Sequence, residues 1–384
     1  MTVSSSPLID GEVASGFEPV RDQLLAHFAD DLELGAQVAV SLEGEFVCDL
    51  SAGFATRDET RPMTRSTLVP VFSCSKAISA LAIAWLVDQG KLAYAQPVAA
   101  LWPEFAAEGK AEVTVAEALS HQAGLPGIAE DWSSADWFDQ DKAAARLAAM
   151  APMWPPGTAA GYHPISWGVI AQEIARRADG RTIGAILREA FTDEDGIDFA
   201  LGLPEAEHER VCGVRKPTAV PNFGEMNEAT RVAFLKPWSS SRAADRTQLL
   251  TAELPAANGV ASARGLATLM QAYARQGRIG ARQVIGAETI EEAIKPRFIG
   301  PDLVLPGLNA RGVGLIMNPS DAALEGPRFG PGVRTVAHSG HGGSCVLADP
   351  DRGLTFAYAP NRQSSALVLD ARAERLINAV YGAL

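Results

Sequence analysis

The chain has 384 residues, 47% hydrophobic and 21% charged, the balance of an ordinary globular protein long enough for one large or two closely packed domains. Its net charge of −13 argues against nucleic acid or an anionic membrane as a partner, since both demand a basic face. The cysteines (Cys48, Cys74, Cys212 and Cys345) lie far apart with no CxxC pairing, so neither a disulfide framework nor a zinc knuckle is expected.

Residues 1–17 lack a basic stretch followed by an apolar one, so no export signal is expected and a cytoplasmic location follows. Residues 16–33 place Phe17, Val20, Leu24, Leu25 and Phe28 at helical spacing. Two apolar runs around Glu43-Gly44 predict a β-hairpin. The run from Ser73 to Leu92 predicts a buried helix of about four turns, closed by Gly90. Its apolar core, residues 77–87, stops at Asp88, short of a membrane span.

Helical patterns then alternate with Pro/Gly turns, clearest over residues 113–121, 141–150, 166–180, 261–277 and 287–295. Residues 201–255 read as a polar loop studded with Phe223, Phe234 and Trp238, and a connection of this length is commonly a binding or lid loop. Strand signals return in two runs about Asp349-Pro350-Asp351-Arg352-Gly353, and a helix closes the chain over 365–383. The expected class is α/β (α+β). An antiparallel sheet is built from both terminal segments and flanked by helices, with a large, mostly helical insertion. The expected division is residues 1–80 with 256–384 for the sheet domain, and 81–255 for the helical one.

Three segments carry chemistry. Ser73-Cys74-Ser75-Lys76 is the only S-x-x-K, in a chain with seven lysines. On a helix the two side chains share a face, and an unprotonated lysine can take the serine proton. That state needs burial or a cationic neighbour to move the amine from about 10.4 toward 7, about 4 kcal/mol of environment. In the second segment, a Pro156-Gly157 turn presents Tyr162 just before the helix that starts near Ser166, where a phenol could relay the proton. The third, His338-Ser339-Gly340-His341-Gly342-Gly343-Ser344, leads into an apolar strand. There small residues admit a substrate and a backbone N–H can stabilise an oxyanion.

The order and spacing of these segments resemble the serine β-lactamase and penicillin-binding-protein superfamily. The closer likeness is to class C β-lactamases and the related family VIII carboxylesterases. The stretches Leu119–Pro126, Pro255–Gly259 and Ala348–Pro350 with Gly353-Leu354 fit the same pattern, so the resemblance covers about residues 20–384. It implies Ser73 as acylated nucleophile, Lys76 as the group that deprotonates it and Tyr162 as shared acid/base. It also implies an oxyanion hole from the N–H groups of Ser73 and His341, with no cofactor and no metal. His121 is implied to be structural.

The chain departs from that pattern where class C β-lactamases carry Tyr-x-Asn and Lys-Thr-Gly. Tyr162-His163-Pro164 lacks the asparagine, and His338-Ser339-Gly340 lacks the lysine that would bind a substrate carboxylate. Both changes point to small neutral esters as the partner. His338, Ser339, Gly340 and His163 are expected at the substrate, with Trp137 and Trp238 lining an apolar pocket, or alternatively packing in the core. Competing readings are a β-lactamase or D-alanyl-D-alanine peptidase, an acyltransferase using the same acyl-enzyme, and a non-catalytic binding protein. The immediate base stays open between Lys76 and ionised Tyr162, and the sequence leaves the oligomeric state open.

Overall fold

The structure, a computed structural model, describes residues 8–129, 132–235, 245–318 and 328–384. The runs around Glu43-Gly44 form β2 (Gly35–Leu42) and β3 (Glu45–Gly53). Both turn residues have positive φ, as a tight hairpin turn requires. β1 (Ile9–Val13) pairs along the outer edge of β3. Four of its five residues are exposed, so it carries no apolar alternation and does not read as a strand from sequence.

At the other end of the chain, β9 (Phe298–Pro301), β10 (Leu308–Arg311), β11 (Ile316–Met317), β12 (Val336–Ser339), β13 (Cys345–Asp349) and β14 (Leu354–Pro360) complete one sheet. It is antiparallel throughout, in the order β1-β3-β2-β14-β13-β12-β11-β10-β9. The two ends of the chain meet at its centre, where β14 pairs with β2 from Leu354 opposite Leu42 to Pro360 opposite Ala36.

Alternation along β2 sorts the two cores. Ala36, Val38 and Val40 face α1 (Glu18–Ala29) and α11 (Ala371–Gly382), packing with Leu24, Leu376 and Val380. Ala39 faces the larger core, which includes Leu266 and Met270 of α9 (Ala263–Ala274). Also in that core are α2 (Cys74–Asp88), α3 (Val115–Leu119), α4 (Gln140–Ala149), α5 (Ser166–Asp179), α6 (Ile183–Leu187) and α10 (Ala287–Ala293). The 201–255 stretch is not simply a loop. It holds α7 (Glu228–Phe234) and α8 (Arg246–Thr251), capped by Asn227 and Asp245, which accept from the N–H groups of Thr230 and Gln248. These helices are too short for their periodicity to stand out from the surrounding polar sequence.

A small sheet sets the entry to α2. β4 (Val69–Pro70) and β5 (Phe199–Ala200) both pair with β6 (Val260–Ala261), and the Val71 N–H donates to Gly259 O at 2.9 Å. Among the described residues no helix is long and apolar enough to cross a membrane.

Candidate active site

Ser73 is the N-cap residue of α2, so its side chain stands at the start of a buried helix. Phe72 just before it has φ +49°, a left-handed conformation that costs a residue with a Cβ about 1–2 kcal/mol. The turn is held by Ser75, whose hydroxyl donates to Phe72 O at 2.5 Å and accepts from the Gly259 N–H at 2.9 Å. A Cβ on Gly259 would overlap the Ser75 hydroxyl, so glycine is what lets the two segments touch.

Lys76 is completely buried. Its Nζ lies 3.3 Å from Ser73 Oγ, 2.8 Å from Pro164 O and 2.9 Å from Ala256 O. Burial first, and the Arg311 guanidinium second, hold this amine well below its ordinary value. Pro164, which cannot supply the asparagine amide of the class C pattern, contributes its carbonyl to Lys76 instead.

Tyr162 sits on the segment between the Pro156-Gly157 turn and α5. Its ring centroid is 4.8 Å from Lys76 Nζ. Burial pushes its phenol up, against the opposing pull of a hydrogen bond with the Ser73 hydroxyl and of Arg311. The segment is fixed from two sides. The Gly161 N–H donates to His121 O at 3.0 Å and the His163 N–H to His121 Nδ1 at 3.1 Å, while the Tyr162 N–H donates to Asp302 Oδ1 at 3.0 Å. Phe234 of α7 stacks on the Tyr162 ring, 6.3 Å between centroids and 16° between planes.

Asp302 and Arg311, both silent in the sequence reading, complete the cluster. Arg311 ends β10, is fully buried, and donates from Nη2 to Asp302 Oδ2 at 2.7 Å. Its Cζ lies 5.2 Å from the Tyr162 ring centroid. A charged pair flanking the Pro306-Gly307 turn at the β9–β10 hairpin is a detectable signal, but only once those four-residue strands are known to pair.

His338 lies on β12, buried, with its ring 6.2 Å from that of Tyr162. Its Nδ1 is 2.7 Å from Ser339 O, which favours the neutral Nδ1–H tautomer. Burial keeps it well below 6.5, hence uncharged at neutral pH. Cys74 Sγ donates to His338 O and Ser344 Oγ to Val71 O, drawing β12 onto the start of α2. Gly340 permits that approach, because a Cβ there would overlap Val71 O and Ser344 Oγ. His341 follows, exposed, its ring edge-on to Phe72 at 5.8 Å.

Two expected substrate contacts lie elsewhere. His163 is fully buried, its Nε2 accepting from the Leu125 N–H at 3.0 Å and its Nδ1 bonded to Gly161 O. Neither nitrogen is left for a substrate, so its place is in the scaffold behind Tyr162. Trp137 is 3% exposed within the larger core, edge-on to Trp132, which is the setting of the packing alternative. Trp238 lies outside the described residues. A cavity of about 380 Å³ opens between the α7 segment and the β9–β10 hairpin, lined by Phe223, Glu225, Asn227, Thr230 and Leu303 with Asp302 in its wall, and neither Ser73 nor Lys76 borders it.

An antiparallel sheet built from both ends of the chain, with a serine, a buried lysine and a tyrosine gathered where α2 meets β12, defines a serine hydrolase of the β-lactamase-like type. The chain belongs to the β-lactamase family, whose model matches residues 22–380. It is 32% identical over 349 residues to the esterase/β-lactamase LipL of Mycobacterium tuberculosis, covering 87% of this chain and 79% of that protein. Its fold matches that of a penicillin-binding-protein homolog from Caulobacter crescentus with a TM-score of 0.94 at 47% identity, over 98% of this chain and all of the other. A family VIII carboxylesterase matches with a TM-score of 0.91 at 36% identity, over 98% and 100% of the two chains.

Proposed function

We propose that this chain is a serine carboxylesterase that hydrolyses small, neutral esters through an acyl-Ser73 intermediate. The observation that carries the reading is the surroundings of the Lys76 amine. A neutral amine has two N–H groups and one lone pair. Because burial and Arg311 hold the amine well below its ordinary value, its neutral form gives its N–H groups to Pro164 O and Ala256 O and turns its lone pair to the Ser73 hydroxyl 3.3 Å away. This arrangement supports Lys76 as the base. Tyr162, whose phenol is pushed up by burial, stays protonated and serves as the hydroxyl that passes the proton on.

In the acylation step Ser73 Oγ attacks the ester carbonyl as its proton moves to Lys76 Nζ. The oxyanion is held by the N–H groups of Ser73 and His341. The ester C–O bond then breaks, and the proton travels from Lys76 by way of the Tyr162 hydroxyl to the departing alkoxide. Water repeats the sequence on acyl-Ser73, giving the acid and restoring the serine.

An uncharged His338, standing where the resemblance places a lysine, offers no fixed charge to a carboxylate and favours neutral substrates. The names of the carboxylesterase and of the esterase/β-lactamase support the same class. The test is hydrolysis of p-nitrophenyl acetate beside a chromogenic cephalosporin, with Ser73→Ala as control. Fast ester turnover, slow cephalosporin cleavage and loss of both in the variant are expected. Fast cephalosporin cleavage would replace this reading with a β-lactamase, and activity surviving in Ser73→Ala would overturn the mechanism.

A further inference from the structure

We propose that the buried Arg311–Asp302 pair is the electrostatic brace of this centre, with Arg311 as a positioning residue that seats Tyr162 and supplies the positive charge favouring an unprotonated Lys76. The inference rests on the esterase reading and adds to it a residue that touches neither the substrate nor the reacting atoms.

Geometry gives the pair an unequal field. Asp302 engages Oδ1 with three backbone N–H groups, those of Tyr162, Val304 and Leu305, at 3.0, 2.9 and 3.0 Å. Its remaining oxygen takes one guanidinium nitrogen. The carboxylate charge is thus compensated from four directions. Among the described residues Arg311 makes that single ion-pair contact, and its buried Nε and Nη1 have no partner there. Seen from Lys76, the cation is the less shielded member.

Among the described residues, the other titratable groups around Lys76 are neutral at pH 7. Cys74 on its own helix is pushed up to about 12, Tyr162 is raised, and His121, His163 and His338 are all lowered by burial. Among the described residues, Arg311 and Asp302 are therefore the charges that bear on Lys76 from the elements packed against it. Lys76 Nζ at 4.8 Å and Arg311 Cζ at 5.2 Å from one ring centroid are separated by no more than about 10 Å. At an effective dielectric near 20 this corresponds to about one pH unit, or about tenfold in the fraction of free amine.

The experiment measures the acylation burst with p-nitrophenyl acetate from pH 5 to 10 in the full chain and in Arg311→Met, Arg311→Lys and Asp302→Asn. Arg311→Met is expected to move the acidic limb up by about one pH unit, a loss of about tenfold below the limb that narrows on the plateau. Arg311→Lys should restore the limb. A limb that stays in place, or an equal loss at every pH, would overturn the proposal, because a purely structural role predicts the latter. If Arg311→Met shows no cooperative melt, Asp302→Asn decides, since it keeps the cation and removes its counter-charge. A limb moved down supports the proposal, and one unmoved or moved up overturns it. A wild-type chain with no Ser73-dependent burst would instead overturn the esterase reading, and this inference with it.

Discussion

Replacing Ser75 with alanine isolates the contact that holds the strained turn before Ser73. The Ser75 hydroxyl accepts from the Gly259 N–H and donates to Phe72 O, which also accepts from the Ser75 N–H at 2.9 Å. Phe72 O thus keeps a partner in the variant, while the Gly259 N–H is left buried and unpaired. The orphaned donor costs about 1–3 kcal/mol and the lost hydroxyl bond about 1 more, so a total of about 2–4 kcal/mol is expected. With an unfolding entropy of about 2.1 cal/mol/K per residue over 384 residues, Tm should fall by about 2.5–5 °C. The rate should suffer too. Phe72 at φ +49° persists only while its surroundings over-determine it, and relaxing it turns the Ser73 hydroxyl away from Lys76. We expect the acylation burst to slow at least tenfold, read by stopped-flow absorbance beside a urea melt. A melt within 0.5 kcal/mol of wild type and an unchanged burst would refute the claim that this hydroxyl holds the turn.

Three further outcomes follow from the same contacts. Gly340→Ala should slow acylation by more than tenfold while Tm falls only a few degrees, because the new Cβ pushes β12 away from Val71; an unchanged burst rate would argue against that close approach. Phe234→Ala should raise KM for longer acyl esters more than it lowers kcat, since the ring stacked on Tyr162 borders the site; steady-state series over acyl length check this. Acid should destabilise the fold between about pH 6.5 and 4. His27 and His163 are held at about 4 by burial, so the unfolded chain binds the extra protons, and the two histidines together outweigh buried Glu33, whose carboxyl is raised to about 7 and acts in the opposite sense. Their contribution is complete above 6.5 and is lost as pH falls toward 4. Urea midpoints that stay constant from pH 7.5 to 5 would contradict it.

The parts of the site that local spacing carries are legible in the sequence. Ser73 and Lys76 are three residues apart on one helix, and Tyr162 follows a Pro-Gly turn, so each is visible within a short window. The sheet is legible where strands are long and apolar, as in β2, β3, β13 and β14. It is not legible at β1, which is exposed on both faces, or in β9–β11, where strands of two to four residues alternate with Pro and Gly. Asp302 and Arg311 fall in that illegible part. Their roles arise from a hairpin laid against Tyr162, 140 residues away in sequence from Asp302, and no local pattern encodes such a contact. His163 misleads for a related reason. Adjacency to Tyr162 suggests a substrate contact, yet the chain turns its ring into the interior, where two backbone groups hold it.

The pairing of β14 with β2 at the centre of the sheet also constrains how the molecule is made. Residues about 320 apart in sequence become neighbours there, so the fold has a high contact order and closes slowly. During synthesis the β2–β3 hairpin waits for its partner until everything between Gly53 and Leu354 has left the ribosome. Meanwhile the edge of β2 that β14 will cover stays open to other extended segments. Nascent or nicked chains that lack the last strand are thus exposed to aggregation at the very edge that later becomes the centre of the sheet.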